Sequence, residues 1–316
     1  MRGPEDRWVA WFQLAEPLVW VATGWSVYAA ALAARRGVRF MLLGVALGCT
    51  LGGVWAHRPV RPAIPAAPPA WADPVQRCAR ALAPPLDPVR ILQWSLSGDE
   101  DVATRVGRVV AVAPDVAILR GAVGPALGRA LTEQLGGEFV HRPATEREDG
   151  LLILTRGTFH RCGDASHWSD PVDDRDGTTL LFVGTSTETS WPLVVGRLPA
   201  PWRPARDGPG DSRPTPHRAA GLAEVLDAPS VVVAMDTPRG TSARSLDAAM
   251  LGARLLPTAA APNWPARIGP VPALPLHAWD RVWMGPAWRF VRSHRIPLQA
   301  GARDPVVTEL HPQPVP

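Results

Sequence analysis

The 316-residue sequence contains no lysine, so all 33 of its basic residues are arginines. It has three cysteines and no C-x-x-C pair, which argues against a structural zinc site. It also lacks G-x-G-x-x-G and P-loop sequences, so the usual dinucleotide and nucleoside triphosphate fingerprints are excluded. The formal net charge is only +4 and the arginines are dispersed along the chain, so binding to nucleic acid is not expected.

The composition that is present, 46% hydrophobic and 20% charged, is typical of a globular protein. Cys78 and Cys162 would pair in an oxidising compartment or remain two separately buried thiols, and the sequence leaves both possibilities open. His160, Cys162, Asp164 and His167 lie close together, but their spacing matches no familiar metal-ligand pattern. We therefore predict no metal site there.

Two uncharged apolar runs of seventeen residues each, 18–34 and 40–56, lie near the N-terminus. Runs of this length predict a transmembrane hairpin, since a membrane-spanning helix needs about 17–25 residues. The intervening Arg35, Arg36 and Arg39 predict a cytoplasmic loop and a C-terminal domain outside the cytoplasm. A signal peptide followed by a core helix is the alternative, which two consecutive runs fit poorly.

The residues after the hairpin divide into two parts by composition. Residues 57–74 are rich in proline, which predicts an extended, semi-rigid linker. The predicted organisation is a membrane hairpin over 1–56, this linker, and a C-terminal domain over 75–316.

The C-terminal domain is organised around residues 91–120. Residues 91–94 form a short apolar run, 102–113 carry apolar residues at helical spacing, and 116–119 form a second apolar run after Pro114-Asp115. A strand, a helix and a strand in this order predict an α/β domain. Further strands are predicted at 151–155, 180–184, 193–198, 231–235, 281–284, 290–296 and 305–310, and helices at 124–135, from Pro216 and at 242–251. Many strands with few helices favour a two-sheet α/β sandwich.

This segment resembles the endonuclease/exonuclease/phosphatase family, which has the fold of DNase I. In that family the first strand ends in Trp-Asn, and the second ends in Gln-Glu after a Pro-Asp-Val/Ile turn. The corresponding residues here are Trp94-Ser95 and Leu119-Arg120, and Pro114-Asp115-Val116 matches the turn. The resemblance spans about residues 88–310 and implies a DNase I-like sandwich behind the hairpin.

The resemblance also implies a site for metal-dependent hydrolysis of phosphate esters, and this chain departs from it at the reactive positions. Arginine stays protonated and cannot ligate magnesium or act as a base. We therefore expect no intact catalytic residue, no metal and no cofactor, as in a pseudoenzyme. The family-equivalent positions are Ser95, Arg120, Arg197, Ala234, Asp236, Asp280 and Arg303.

Two functions follow as hypotheses. In the first, a non-catalytic membrane protein binds a phosphate-containing or other anionic ligand, or a protein partner. The ligand would lie on Arg120, Arg197 and Arg303, with Arg281 nearby, because guanidinium groups bind such anions bidentately. These arginines would otherwise pair with the neighbouring aspartates in a closed salt-bridge network. In the second, an active Mg²⁺-dependent phosphodiesterase uses a rearranged site, formed by Asp236, Asp280 and Asp304.

Overall fold

The computed structural model describes residues 17–34, 36–56, 86–96, 100–144, 150–159, 178–184, 189–197, 228–237, 247, 250–263, 267–268, 271–272, 278–297 and 303–314. The linker predicted at 57–74, the helix predicted from Pro216, the segment 160–167 and the cysteines Cys78 and Cys162 lie outside the described residues. The inferences drawn for them stay predictions.

Two helices pack against each other near the N-terminus, α1 (Pro17–Ala33) and α2 (Arg36–Ala56). A Cβ atom on Gly24 would lie 2.3 Å from Thr50 Oγ1, so the glycine lets the two helices approach closely. Arg39 donates hydrogen bonds from Nε to the Ala31 carbonyl at 3.1 Å and from Nη2 to the Leu32 carbonyl at 3.0 Å. It thereby satisfies carbonyl groups that the end of α1 leaves without helical partners.

The hairpin does not meet the requirements of the two predicted membrane spans. Within the described ranges, no helix is both long and apolar enough to cross a membrane. α1 has 17 residues, which is at the short end of the range for a membrane-spanning helix. α2 has 21 residues but carries Arg36 and Arg39 in its first turn, which shortens its apolar part. The structure therefore has a helical hairpin at these positions.

The C-terminal part is built on two mixed six-stranded sheets. The first sheet contains, in spatial order, β13 (Trp288–Arg295), β14 (Val306–Pro312), β1 (Val89–Leu96), β2 (Val116–Gly121), β4 (Gly150–Thr155) and β3 (Glu138–Arg142). The second contains β5 (Thr158–Phe159), β6 (Thr178–Gly184), β7 (Ser190–Arg197), β8 (Val232–Asp236), β12 (Asp280–Met284) and β9 (Leu256–Pro257). A small ladder pairs β10 (Arg267–Ile268) with β11 (Val271–Pro272).

Side chains alternate across each strand and so supply two cores. Val89 and Ile91 of β1 face the second sheet, in a cluster that both sheets contribute to. Leu92 and Trp94 face the opposite way, in a cluster shared with α3 (Val102–Val112) and α4 (Pro125–Leu135). The molecule therefore has a sandwich core between its sheets and a helix layer outside the first sheet.

Local sequence sets the bounds of the helix between β1 and β2. The Asp101 carboxylate accepts a hydrogen bond from the Thr104 backbone N–H at 2.8 Å, which caps the first turn of α3. Ala113 ends α3 in the left-handed region at φ 47°, directly before Pro114. Both bounds agree with the predicted helix.

The predicted α/β two-sheet sandwich is confirmed. The strands predicted from apolar runs are present within a few residues of their expected bounds. The strands missed by sequence reasoning are short or lie at sheet edges, where an exposed face leaves a weaker apolar pattern. They are β3, β5, β9, β10 and β11.

Candidate functional site: two buried ion pairs at the strand ends

The predicted site residues meet because of how the central strands pair. β1 and β2 are parallel, with Ser95 opposite Arg120. β7 and β8 are also parallel, with Arg197 opposite Asp236, and Asp236 lies opposite Asp280 of the antiparallel β12. Carboxyl ends of neighbouring parallel strands lie at one edge of a sheet, which is where open α/β sheets form their clefts.

One ion pair joins the segment before β14 to the second sheet. Nη1 of Arg303 lies 2.8 Å from Asp236 Oδ1 and 3.1 Å from Ser95 Oγ, and donates to both. The guanidinium also stacks on Trp279, with Cζ 4.1 Å from the ring centroid. The Asp236 side chain is 1% exposed and that of Arg303 is 12% exposed. Arg303 is thus held by a charge pair, a hydroxyl and an aromatic face at once.

A second ion pair joins β2 of the first sheet to β12 of the second. Nη1 of Arg120 lies 3.7 Å from Asp280 Oδ1, which is longer than a hydrogen bond. Nη2 of the same arginine donates to the Gly196 carbonyl at 3.2 Å. The second Asp280 oxygen, Oδ2, accepts from Asn263 Nδ2 at 2.6 Å. Both charged side chains are almost completely buried.

Asn263 is the connector that sequence reasoning did not single out as a site residue. It is fully buried, and its Nδ2 also donates to the Asp304 carbonyl at 3.2 Å. Its Oδ1 accepts from the Trp279 backbone N–H at 3.0 Å. Asn263 therefore fixes both the strand that carries Asp280 and the segment that carries Arg303. The available signal was its place in an Asn-Trp-Pro stretch, which resembles a stretch of the endonuclease/exonuclease/phosphatase family.

Two of the proposed site residues do not join this cluster. Arg281 follows Asp280 in β12 and so points to the opposite face of the sheet, where Nη1 lies 3.9 Å from Asp247 Oδ2. Ala234 is buried in the core between the sheets. The Arg197 side chain lies outside the described side chains, although its strand position is at the site edge. The prediction that Arg281 lies near the anion site is therefore wrong, because its side chain is on the opposite face of the sheet.

The hypothetical metal site on three aspartates is not formed either. Asp304 Oδ2 pairs with Arg295 Nη1 at 3.2 Å, away from the other two carboxylates. Among the residues that the structure describes, no three histidine, cysteine or acidic side chains are grouped to hold a metal. Asp236 and Asp280 are adjacent, but each already has an arginine beside it. These donors do not fit Mg²⁺, because a positively charged guanidinium group lies next to each of the two carboxylates.

The two aspartates also affect each other's protonation. Burial and, after it, the neighbouring Asp236 carboxylate together raise the pKa of Asp280 to about 6. Arg303, Arg120 and the Asn263 hydrogen bond oppose this increase. Protonation of Asp280 in mildly acidic solution would remove one negative charge from beside Arg120.

The first prediction concerns stability. A carboxyl whose pKa is higher in the folded protein stabilises it most below the ordinary pKa and loses this contribution as pH rises through the folded value. We expect the wild-type chain to gain on the order of 1 kcal/mol over Asp280→Asn between about pH 8 and about pH 5. Urea denaturation of both full-length chains measures this. A stability difference that does not change over this range would contradict the assignment; Asp87→Asn, which alters an exposed carboxyl elsewhere, is the control.

No protein-family model matches the sequence, and neither does any curated protein. Among solved structures, the chain is similar to the endonuclease/exonuclease/phosphatase from Beutenbergia cavernae at 18% identity, over 72% of each chain, with a TM-score of 0.44. It is similar to D. rerio TDP2 complexed with single strand DNA product at 13% identity, over 71% of this chain and 99% of that one, with a TM-score of 0.45. An AP endonuclease from Archaeoglobus fulgidus matches at 10% identity, over 70% and 98%, with a TM-score of 0.43. Identities and TM-scores this low transfer no property of those proteins to this chain.

Proposed function

We propose that this chain is a non-hydrolytic protein with a DNase I-like sandwich, and that it acts by binding a ligand or partner at a membrane surface. The observation that carries the proposal is the pair of buried ion pairs at the strand ends. Arg120 and Arg303 stand where the family resemblance places a metal carboxylate and a histidine, and they lie beside Asp280 and Asp236.

The chemistry of arginine supports a non-catalytic site. A guanidinium keeps its proton at any physiological pH, so it neither accepts a proton from water nor coordinates a cation. A divalent metal between Asp236 and Asp280 would compete with both arginines for the same two carboxylates. Removing either arginine to make room would leave buried charge without its partner, which costs about 3–5 kcal/mol.

We expect no metal-dependent phosphodiesterase activity from the full-length chain. The assay uses bis-nitrophenyl phosphate, DNA and RNA with Mg²⁺ or Mn²⁺, and the expected turnover equals that of Asp236→Ala, because no metal carboxylate or base is available. Metal-dependent turnover by the wild-type chain that disappears in Asp236→Ala and Asp280→Ala, but persists in Asp87→Asn, would instead establish the phosphodiesterase alternative.

The ligand class that we propose for the cleft is an anion, phosphate or carboxylate, on Arg120, Arg303 and Arg197. Guanidinium bonds to such groups are charge-assisted and about twice as strong as neutral hydrogen bonds. At neutral pH the anion competes with Asp280 for Arg120. Below the raised pKa of about 6, Asp280 becomes neutral and this competition weakens.

Anion affinity at the cleft should therefore increase as pH falls through about 6. Sulfate is the probe, because its own charge is constant over this range, and calorimetry on the full-length chain is the measurement. Asp280→Asn should bind sulfate with little pH dependence, because it resembles the protonated state. Absence of sulfate binding by both chains at acidic pH, or binding that survives Arg120→Ala unchanged, would exclude the cleft as an anion site.

We further propose that the hairpin holds the protein at a membrane, with the C-terminal domain outside the cytoplasm. Its large apolar side chains are exposed around both helices: Phe40 is 76% exposed, Trp25 65%, Met41 65% and Leu47 60%. A helix that is apolar on all sides needs an apolar environment around it. Insertion of this surface into lipid would supply that environment.

The full-length chain should float with phosphatidylcholine vesicles in a density gradient, since lipid would cover the exposed apolar side chains of the hairpin. Replacing Phe40 and Leu47 together by glutamate should move it to the dense fraction, while Leu256→Glu, at an exposed apolar residue of the sandwich, should not. A wild-type chain that stays in the dense fraction would refute the attachment. Protection of the sandwich from protease added to intact cells would refute the proposed orientation.

A further inference from the structure

A groove of about 440 Å³ lies on the helix-covered face of the first sheet, away from the cleft. The last turn of α3 forms one wall, and β1, β14 and β13 form its floor and other wall. Arg90, at the start of β1, lines it, while Ser95 at the cleft lies five residues further along the same strand. Because a strand rises about 3.3 Å per residue, Arg90 at the groove and Ser95 at the cleft are roughly 16 Å apart along β1.

The polar lining of the groove is dominated by cations. Arg90, Arg108 and Arg292 line it with the His294 imidazole and one carboxylate, that of Glu309, which pairs with Arg292 at 2.8 Å. Glu100, which is outside the lining, pairs with Arg108. The hydrogen bond from Arg292 keeps the pKa of Glu309 below its ordinary value, so this carboxylate stays ionised and its charge remains offset by the arginine.

Arg90 and Arg292 both act on the Glu309 carboxylate in the groove. Arg90 lies across the ladder from Glu309, but its own hydrogen bond with Asp115 uses the backbone N–H and not the side chain. Among the described residues, the Arg90 guanidinium makes no side-chain hydrogen bond, but its charge acts on Glu309 across the ladder and lowers the pKa of that carboxylate. Three guanidinium groups, from Arg90, Arg108 and Arg292, therefore line the groove together with one carboxylate, that of Glu309.

The rest of the lining is apolar. Val307 is buried, Val112 and Ile296 are partly buried against the helix-side core, and Ala111 completes the surface. A site of this volume with an apolar floor and a few cationic groups is typical of small-molecule sites, which span about 300–1,000 Å³. It fits a ligand that has both an anionic head and a hydrocarbon part.

We propose that this groove binds a phosphate monoester carrying an alkyl or acyl chain. The phosphate would accept charge-assisted hydrogen bonds from Arg90 and its arginine neighbours, and the hydrocarbon would cover Val112, Ile296 and Val307. A soluble alkyl phosphate and the headgroup of an anionic membrane lipid share this chemistry, and the experiment separates them.

The experiment is calorimetry of the full-length chain with hexyl phosphate, inorganic phosphate and hexanol. We expect hexyl phosphate to bind at least about tenfold more tightly than either of the others, because only it fills both parts of the groove. The combined substitution Arg90→Gln and Arg292→Gln should weaken it at least about tenfold. Arg129→Gln, at an exposed arginine of α4 outside the groove, should leave it unchanged.

Two further measurements complete the experiment. A single substitution guards against a loss of binding that is caused by misfolding, and a vesicle measurement identifies the source of the ligand. Arg90→Gln alone is the conservative variant, since Arg90 is exposed and its backbone hydrogen bond is kept. If phosphatidic acid in phosphatidylcholine vesicles increases binding and Arg90→Gln abolishes the increase, the ligand is a membrane lipid. If only hexyl phosphate depends on Arg90, the ligand is soluble.

Equal affinity for hexyl and inorganic phosphate, no binding of hexyl phosphate, or full binding by the Arg90→Gln and Arg292→Gln chain would overturn the proposal. The cleft is tested independently by sulfate and Asp280→Asn. Failure of the groove and failure of the cleft are therefore distinguishable.

Discussion

The structure depends on two charge pairs that cross the interior of the sandwich. Asp236 and Asp280 lie opposite each other at the ends of adjacent strands, where two buried carboxylates would repel. Arg120 reaches Asp280 from the first sheet, and Arg303 reaches Asp236 from the segment before β14. The two pairs thus neutralise the buried carboxylates of the second sheet with one arginine from the first sheet and one from the segment that leads into it. The edges of the two sheets are therefore held together by these contacts.

The same constraint decides what the cleft can bind. Two arginines already occupy the space beside the two carboxylates, so a metal cation has no favourable place there. In the anion site that we propose, an anion would take an arginine from an aspartate, and Asp280 would be the weaker competitor, since its pKa is about 6 and its nearest approach to Arg120 is 3.7 Å. Asn263, by fixing both strands, keeps the pairs in register.

An exclusively arginine-based cation set suits this architecture. The planar fork of Arg303 bonds to Asp236 and Ser95 while its face stacks on Trp279, which the point charge of a lysine could not do in the same way. On the outside of the first sheet, Arg292 balances Glu309, and Arg90 remains directed at the groove. Among the described residues, two arginines face two aspartates at the strand ends, whereas three arginines and one carboxylate line the groove.

Local patterns in the sequence were sufficient to define most of the elements and the sheet edge at which they meet. Helical spacing, Asp101 and Pro114 defined α3, because capping and chain breaking are local, and the ends of apolar runs placed Arg120 and Asp236 at the site. The opposite face of Arg281 also followed from strand alternation and could have been predicted. Which arginine pairs with which aspartate depends on how the two sheets pack against each other. Arg303 and Ser95 are 208 residues apart in the chain, and their contact is set by how two sheets pack, which no local pattern encodes.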